Sequence, residues 1–526
     1  MTTLTRRRLI QMVGATGGAS AAYATLSAMG MIATPAAYAG APDLPAGSGE
    51  GESVAVLGAG VAGLVAAYEL GRAGYAVTVL EAADFVGGRC RTYRGGDVVR
   101  EVGGTQDVAF DEDPGLYFNA GPARLPYHHQ ATLSYCHDLG VALEPIVNDN
   151  RGAFFHDEAA FGGEPVRGRR LMNDTRGTVS ELLSKAIDKG ALDEELSGID
   201  KERFLEFLSR FGDLQADGTY AGSSRAGYRE PPGANLAAAG ATMEPVDMNE
   251  LLASDFWGYK MHFGEGFTQA ATMMQPVGGM DRIAAALAER VGERIELGAR
   301  VTEIRRTGGG ARVVYADASG AEQALEVDHV VVTIPFSVLS GIASDFSPEV
   351  VRAVEACGYT PAGKAAFQAE RRFWERDHQI YGGISWTNAD ITQIWYPTAG
   401  FGTGKGVVVG AYIWSDEIGA RFGAMPFDER LEMVRTQASR IHPTFAEDTT
   451  AGVTIGWGQV PHILGGWADW SDEARADAYP AIARADGPFH FAGEHVSHLT
   501  GWQEGSVLSA QDAVRAISEI TLSRSN

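Results

Sequence analysis

The residues with the clearest chemistry lie near the start of the chain, in the run Gly58-Ala59-Gly60-Val61-Ala62-Gly63. Gly58 permits a tight turn, Gly60 lets the backbone approach a pyrophosphate, and Gly63 lets a helix pack closely on a strand. Glu81 follows at the distance expected of an acidic side chain that accepts hydrogen bonds from ribose hydroxyls. These residue types at this spacing predict a dinucleotide site, which also includes Ala59, Ala62 and Ala82.

A strand, a helix and a second strand are needed to position these residues. Ser53–Leu57 is a short apolar run typical of a buried parallel strand, and residues 64–73 have the periodicity of a helix. Residues 75–80 predict the second strand, which ends at Glu81, and the helix N-terminus offers amide donors to phosphate. This context makes the glycine pattern specific, and the alternative is a glycine-rich turn that binds no ligand.

A second glycine-rich element, Gly87-Gly88-Arg89, follows Glu81 closely. Its glycines permit close approach to a ligand, and the Arg89 guanidinium can bind phosphate. With this element the sequence resembles the flavin amine oxidase superfamily, in which the glycine-arginine run lies along FAD. The resemblance covers most of the chain after Gly51 and implies a Rossmann-like α/β domain that binds FAD.

The C-terminal region carries the other half of this resemblance. Gly493 and Glu494 are similar to the family's flavin-binding strand, where the glutamate meets the ribityl chain. Gly501, Trp502 and Ser506 lie where the family has the start of a helix whose amides face the flavin pyrimidine. Since these residues lie more than 400 positions after Gly58, we expect the FAD-binding domain to close on itself in space.

The segment Tyr117–Pro126 resembles the equivalent segment of L-amino acid oxidases, in which an arginine binds the substrate α-carboxylate. The resemblance gives this role to Arg124, whose planar fork of donors matches a carboxylate; the alternative is a surface or ion-paired arginine. It also implies Tyr396 as a second carboxylate contact, against the alternative of a core tyrosine, and the Gly501 carbonyl as acceptor for the substrate amine. The cofactor contacts expected from this segment are Gly121, Pro122, Ala123 and Arg124.

Lys364 matches the lysine that holds a water against the flavin in amine oxidases, although alone it would be typical of a snorkelling surface lysine. Trp467 and Trp502 are candidates to frame the substrate, and core packing is the alternative for both. Some amine oxidases bind the flavin through a cysteine in the region of Trp467. Because no cysteine follows Cys357, we expect non-covalent FAD. Cys90 is interpreted as a small buried residue rather than a nucleophile.

Composition and charge exclude several classes of protein. A net charge of −24 over 526 residues argues against nucleic-acid binding. The three cysteines exclude a disulfide scaffold, and no His/Cys cluster at ligand spacing predicts a metal site.

The N-terminus, with Arg6-Arg7-Arg8 before an apolar stretch and Ala37-Tyr38-Ala39, resembles a twin-arginine export signal. The alternatives are a disordered basic arm or a membrane anchor. No later apolar run is long enough to cross a membrane, so we expect an exported enzyme with no stable membrane insertion after signal cleavage.

The expected fold is α/β, α+β overall, with a strand containing Val301 near the adenine. The parts are a signal peptide at 1–39, a linker at 40–52, a discontinuous FAD-binding domain at 53–95, 270–336 and 480–522, a mixed-sheet substrate-binding domain at 96–150 and 337–479, and a helical domain at 151–269.

The resemblance implies oxidative deamination of L-amino acids by FAD and dioxygen to 2-oxo acids, ammonia and hydrogen peroxide. Plentiful aromatic residues favour large apolar or aromatic substrates. Three alternatives stay open: an amine or polyamine oxidase, an L-amino acid dehydrogenase with another electron acceptor, and a flavin-binding protein without turnover. The family also implies a homodimer.

Overall fold

The parallel sheet predicted around Gly58 is present in the computed structural model, which describes residues 38, 40–196 and 200–525. Its strands are all parallel and follow the order Ile295–Leu297, Ala76–Glu81, Ser53–Leu57, His329–Val332 and Phe489–Phe491. Val54 to Leu57 in the central strand are fully buried, because a parallel strand of this kind is covered on both faces. The helix Val61–Arg72 packs against Asp281–Val291 and Gln503–Ser525, so the sheet and its helices combine both ends of the chain.

A larger mixed sheet is formed by strands that lie between the second and the last strand of the parallel sheet in sequence order, Ala76–Glu81 and Phe489–Phe491. Its order is Val166–Arg167, Phe154–His156, Gly383–Thr387, Gln393–Tyr396, Gly406–Ile413, Gly363–Ala369 and Thr449–Gly456. The pairs are antiparallel except for Phe154–His156 with Gly383–Thr387. All of Gly363–Ala369 is buried, since neighbouring strands and packed aromatic side chains enclose it. Lys364 therefore lies on a buried strand that has a hydrogen-bonded neighbour on each side.

Smaller sheets complete the β-structure. A four-stranded sheet has the order Glu322–Val327, Ala311–Ala316, Arg300–Arg306 and Ala343–Ser344, and a three-stranded sheet has Leu125–Pro126, Met273–Pro276 and Leu143–Ile146. The two-stranded pairs are Thr92–Arg94 with Tyr117–Asn119, Val98–Glu101 with Gly104–Asp107, Tyr228–Glu230 with Ala241–Thr242, and Gly358–Thr360 with Trp467–Asp469. All these sheets lie in one compact unit that begins at Leu44.

The helices surround these sheets. The longer ones are Val61–Arg72, Gln130–Asp138, Gly168–Asp188, Lys201–Gly212, Asp281–Val291, Pro348–Ala356, Asp416–Ala424, Phe427–Ala438 and Gln503–Ser525. Shorter helices span Met248–Ala253, Tyr259–His262, Phe336–Leu339, Phe373–Arg376, Phe445–Asp448, Asp472–Asp477 and Tyr479–Ile482. The range 151–269, predicted to be helical, contains helices but also gives two short strands to the mixed sheet, Phe154–His156 and Val166–Arg167.

The strand predicted to contain Val301, over residues 297–304, is divided in two. Ile295–Leu297 pairs with Val79 to Glu81 in the parallel sheet, whereas Arg300–Arg306 belongs to the four-stranded sheet. Gly298 lies between them with a φ of +71°, a left-handed conformation that suits glycine and turns the chain. Val301 is thereby placed beside the end of the parallel sheet.

The predicted signal peptide lies outside the described residues except for Tyr38. Within the described part of the predicted linker, residues 40–52, no helix or strand is formed. No helix in the described ranges has the length and apolar character needed to cross a membrane. Over the same ranges, no three His, Cys, Asp or Glu side chains are grouped as metal ligands.

Candidate active site

A cavity of about 200 Å³ lies at the carboxyl ends of the parallel strands. This is the edge at which doubly wound sheets bind their ligands. Segments from the whole chain line it, because both the first and the last strands of the sheet end there. The predicted residues that line it are Gly58, Gly60, Ala62, Glu81, Ala82, Gly88, Arg89, Gly121, Pro122, Val301, Lys364, Trp467, Gly493, Glu494, Gly501, Trp502 and Ser506.

The glycine run forms the end of this cavity that suits phosphate. Gly60 precedes the helix Val61–Arg72, whose N-terminus has no side-chain cap, so its amides keep free donors. A Cβ on Gly60 would meet no atom within 4 Å, which leaves this approach open. Gly63 does not line the cavity; a Cβ there would lie 1.9 Å from the Gly58 carbonyl oxygen, so close helix–strand packing requires glycine. Ala59 contributes its N–H, as described next.

The Glu81 carboxylate closes the βαβ unit. It accepts hydrogen bonds from the N–H groups of Ala59, at 2.7 Å, and Ala83, at 2.8 Å. Burial raises the pKa of Glu81, and the two backbone donors act in the opposite direction. The side chain is thus held at the cavity wall with further lone pairs able to accept hydroxyl donors.

Arg89, which is partly buried, and the buried Glu494 form an ion pair between the first and last parts of the site. Arg89 Nη1 lies 2.6 Å from Glu494 Oε1 and also donates to the carbonyl of Gly466, while Glu494 Oε2 accepts from the N–H of Gly501. Burial alone would raise the pKa of Glu494, but the charge of Arg89 lowers it below its ordinary value. The charge of Arg89 is therefore compensated by the chain itself, so this arginine does not require a phosphate partner.

Lys364 is a second cation at the cavity, and it has no anionic partner among the described residues. Its Nζ donates to the carbonyl oxygens of Asn119, at 3.1 Å, and Gly121, at 2.5 Å, and lies 4.2 Å from the centre of the Tyr412 ring. Burial and, to a lesser extent, the nearby charge of Arg124 together lower the pKa of Lys364 to about 7. Lys364 can therefore exchange a proton near neutral pH.

Arg124 lies beside the cavity residues Trp502 and Tyr412 rather than in the cavity wall itself. It is 8% exposed, and its guanidinium carbon lies 4.6 Å from the Trp395 ring, 5.5 Å from Phe263 and 5.6 Å from Trp502. Its side-chain partner is Gln269, and no carboxylate in the described part of the chain forms a salt bridge with it. Burial lowers the pKa of Arg124 to about 10, so it stays charged at neutral pH. Ala123, also predicted at the cofactor, packs with a neighbouring apolar cluster instead of lining the cavity.

The structure does not bring Tyr396 to this site. Its hydroxyl is hydrogen-bonded to Ser385 Oγ, at 2.7 Å, and His442 Nε2, at 2.6 Å, and the ring packs in the core of the mixed sheet. Because alternate residues of a strand point to opposite faces, it is the preceding residue, Trp395, that faces Arg124. The assignment of Tyr396 as a carboxylate contact is wrong for this geometry, and the core-tyrosine alternative describes it.

Trp467 and Trp502, the candidates to frame the substrate, both line the cavity next to Gly501. Gly501 has a φ of +79°, and a Cβ on it would lie 3.4 Å from Trp467, so a larger residue there would be strained and crowded. Trp502 packs edge-on against the buried ring of His129 at 5.0 Å. These contacts hold the two indoles in place around the cavity.

Sequence reasoning missed several cavity residues, notably Tyr412, Trp457 and Gln503. Gln503 Nε2 donates to Cys90 Sγ at 3.2 Å, and burial raises the pKa of the Cys90 thiol to about 11. Cys90 is thus a buried, protonated thiol at neutral pH, in agreement with its interpretation as a packing residue. The alternation of side chains along Gly406–Ile413 predicts which residues share a face with Tyr412. It does not predict which of the two faces meets the cavity.

Comparison with known proteins identifies the family of this chain. A family model described as flavin containing amine oxidoreductase matches residues 61–518. The chain belongs to that family. Its relatives include the flavin-dependent L-tryptophan oxidase of Lentzea aerocolonigenes, 30% identical over 492 residues that cover 89% of this chain and 98% of that protein. The L-amino-acid oxidase of Bungarus fasciatus is 27% identical over 476 residues, or 88% of this chain and 86% of that protein.

Solved structures show the same fold. A putrescine oxidase bound to putrescine aligns with a TM-score of 0.59 and 19% identity, covering 89% of this chain and 98% of that one. The cyclohexylamine oxidase from Brevibacterium oxydans IH-35A aligns with a TM-score of 0.59 and 18% identity, covering 89% and 99%. The prediction of an amine-oxidase fold is confirmed, and the family implies a flavin cofactor.

The cavity fits such a cofactor. Its phosphate end has uncapped helix amides, its Glu81 end has a carboxylate acceptor, and Val301 and Ala82 give apolar walls between them. The backbone of Gln503 and Ser506 starts the C-terminal helix at the opposite end, where amide donors again meet the cavity. The residues present are therefore suited to both the nucleotide and the ring of a flavin dinucleotide.

Proposed function

We propose that the protein is an FAD-dependent L-amino acid oxidase. The observation that carries this proposal is Arg124, which is buried, forms no salt bridge within the described residues and lies beside the cavity together with the buried Lys364. A charged side chain buried without a partner is strongly unfavourable unless a ligand completes it. A substrate carboxylate is the ligand whose charge and geometry match a guanidinium.

The proposed reaction converts an L-amino acid, dioxygen and water to a 2-oxo acid, ammonia and hydrogen peroxide. Bound FAD would supply the redox chemistry, as the acceptor of a hydride from the substrate Cα and the donor of two electrons to dioxygen. We propose non-covalent binding, because the thiol in the cavity, Cys90, is buried and protonated. Gly60, Glu81 and Ser506 would hold the nucleotide and ring ends of the cofactor.

The chain's own residues bind and orient the substrate. Arg124 holds the carboxylate, and the carbonyl of Gly501, whose N–H is held by Glu494, accepts a hydrogen bond from the amine. These two contacts direct the Cα–H bond toward the cavity. The amine must be neutral when hydride leaves, so turnover should rise with pH through a group in the complex.

Lys364 supports the oxygen half of the reaction in this proposal. Its amine is fixed by two carbonyl oxygens and lines the cavity, where it can hold a water or donate a proton as peroxide forms. A pKa of about 7 allows this group to give up a proton and regain it near neutral pH.

The surroundings of Arg124 favour a large apolar or aromatic side chain. Phe263, Trp395 and Trp502 surround the guanidinium, and Tyr412 lies at the adjoining cavity wall. Aromatic walls of this kind provide large contact area and edge-to-face packing for a substrate ring.

The test is anaerobic flavin reduction. The purified holoenzyme is mixed without oxygen with each L-amino acid, with the D-isomers and with simple amines such as 2-phenylethylamine, and flavin absorbance is followed. Bleaching by certain L-amino acids alone supports the proposal and gives the side-chain preference. Bleaching by amines that lack a carboxylate overturns it in favour of an amine oxidase, and fast dye reduction with slow oxygen consumption indicates a dehydrogenase. The homodimer and the export signal stay predictions.

A further inference from the structure

The side chain that contacts Arg124 is a neutral amide. Arg124 therefore keeps its positive charge and forms no salt bridge within the described residues. Its Nη2 donates to the side-chain oxygen Oε1 of Gln269 at 2.8 Å. Its Nε is buried and has no partner in the part of the chain that the structure describes. A neutral amide therefore occupies a position from which a glutamate of the same length would form a salt bridge with the guanidinium.

Gln269 is held firmly in this position from another part of the chain, 145 residues after Arg124. Its backbone N–H donates to the carbonyl of Gly266 at 2.8 Å, and its own carbonyl accepts from Asn148 Nδ2 at 2.9 Å. Asn148 is 5% exposed, so this anchor is part of the protein interior. Phe263, six residues before Gln269, lies 5.5 Å from the same guanidinium. Residues 263–269 thus present one ring and one amide to Arg124.

We propose that Gln269 is a positioning residue that orients Arg124 and, because it is an amide, leaves the positive charge free for a substrate carboxylate. This inference rests on the proposed function, since it takes Arg124 to be the carboxylate contact. A carboxylate at the position of Gln269 would compete with the substrate for the same donors, and the competition would be strong in a buried site. The amide accepts from one donor without neutralising the charge, so the remaining donors of the guanidinium stay available to a carboxylate.

The experiment compares holoenzymes carrying Gln269→Glu and Gln269→Met with the wild type. The probe is 3-phenylpropanoate, a carboxylate that lacks the reacting amine, and its Kd is measured by calorimetry. Gln269→Glu should weaken binding by about 100-fold, whereas Gln269→Met, which removes the acceptor and adds no charge, should weaken it less than about 10-fold. The KM for L-phenylalanine should rise in parallel with little change in kcat, because the lost interaction acts on both ground and transition states.

A pH series separates the charge from the shape of the new side chain. Protonation of the introduced glutamate restores a neutral acceptor, so the difference between Gln269→Glu and wild type should narrow as the pH falls. A merely structural role would give equal losses in Gln269→Glu and Gln269→Met at every pH, and that result overturns the inference. If Gln269→Glu does not retain flavin, Gln269→Asp is measured in its place by the same criteria.

The two hypotheses fail in different ways. A flavin-loaded wild type that does not bind 3-phenylpropanoate overturns the proposed function. A wild type that binds it, with Gln269→Glu binding within threefold of wild type, overturns the role of Gln269 alone.

Discussion

Replacing Arg124 by Met should abolish carboxylate recognition and yet leave the fold at least as stable as before. The pKa of this guanidinium falls from its ordinary 12.5 to about 10 because of burial. A tenfold change in an acidity constant corresponds to about 1.4 kcal/mol, so holding the charged form in this place costs about 3 kcal/mol. Arginine is protonated at neutral pH in both the folded and the unfolded chain, so the whole of this cost opposes folding there.

Methionine fills a similar volume without the charge, so Arg124→Met removes that cost. Against it stand the lost hydrogen bond from Arg124 to Gln269, about 1 kcal/mol, and the lost cation–π contact with Trp395, about 1 kcal/mol. The balance is a gain of roughly 1 kcal/mol in the free energy of unfolding. Loss of the buried carboxylate contact should lower kcat/KM for the preferred L-amino acid by about 3–4 kcal/mol, or roughly 100-fold to 1000-fold.

Arg430→Met is the matched control. Arg430 is also buried and flanked by aromatic rings, but both its terminal nitrogens pair with Glu101, at 2.8 and 2.7 Å. Removing it leaves a buried carboxylate without its partner, which should destabilise the protein by about 3–5 kcal/mol. The assay is thermal unfolding of the holoenzymes at one flavin concentration, with steady-state kinetics on the same samples. A fall in Tm for Arg124→Met as large as that for Arg430→Met would refute the view that Arg124 is kept unpaired for a ligand.

Four further substitutions test other parts of the structure. Burial lowers the pKa of Lys364 to about 7 in the folded protein, so between about pH 7 and 10.5 the unfolded chain binds one more proton at this residue than the folded protein does. The free energy of unfolding should therefore rise with pH over that window. Lys364→Met should flatten this rise in a pH series of melting curves. Gly60→Leu should give a folded but colourless protein, because the leucine side chain enters the open approach to the cavity. Equal flavin content in Gly60→Leu and wild type would contradict that expectation. Gly63→Ala should lose soluble expression, because its Cβ would lie 1.9 Å from the Gly58 carbonyl oxygen. Tyr396→Phe should lower the free energy of unfolding by about 1–2 kcal/mol through its two lost hydrogen bonds and leave KM unchanged, and a raised KM would return Tyr396 to the substrate site.

The parts of the site predicted from sequence are those in which a short segment carries its own geometry. Gly58, Gly60 and Glu81 are such a case, because the turn, the helix start and the strand end lie within one βαβ unit. The fold class followed from this unit and from the similar segments at Arg89 and Glu494. Their predicted proximity in space is confirmed by the ion pair that joins them.

The parts that sequence reasoning missed depend on which face of a strand meets the cavity, or on contacts between distant segments. Tyr396 and Trp395 differ by one position, and strand alternation puts them on opposite faces without indicating which face is the site. Gln269 meets Arg124 across 145 residues from a region without a regular pattern. No local signal in either residue predicts that contact.

The ion pair between Arg89 and Glu494 joins positions 405 residues apart, and both line the same cavity. During synthesis the N-terminal βαβ unit emerges long before the partner that completes its binding site. The flavin site is consequently complete only late in synthesis. Bound flavin would then stabilise the contact between the N-terminal and C-terminal parts of the site. By mass action, a flavin concentration 100 times the Kd would add about 2.7 kcal/mol to the free energy of unfolding. The steady-state amount of this protein in a cell should then follow flavin supply, because chains without bound flavin are unfolded more often and are cleaved by proteases.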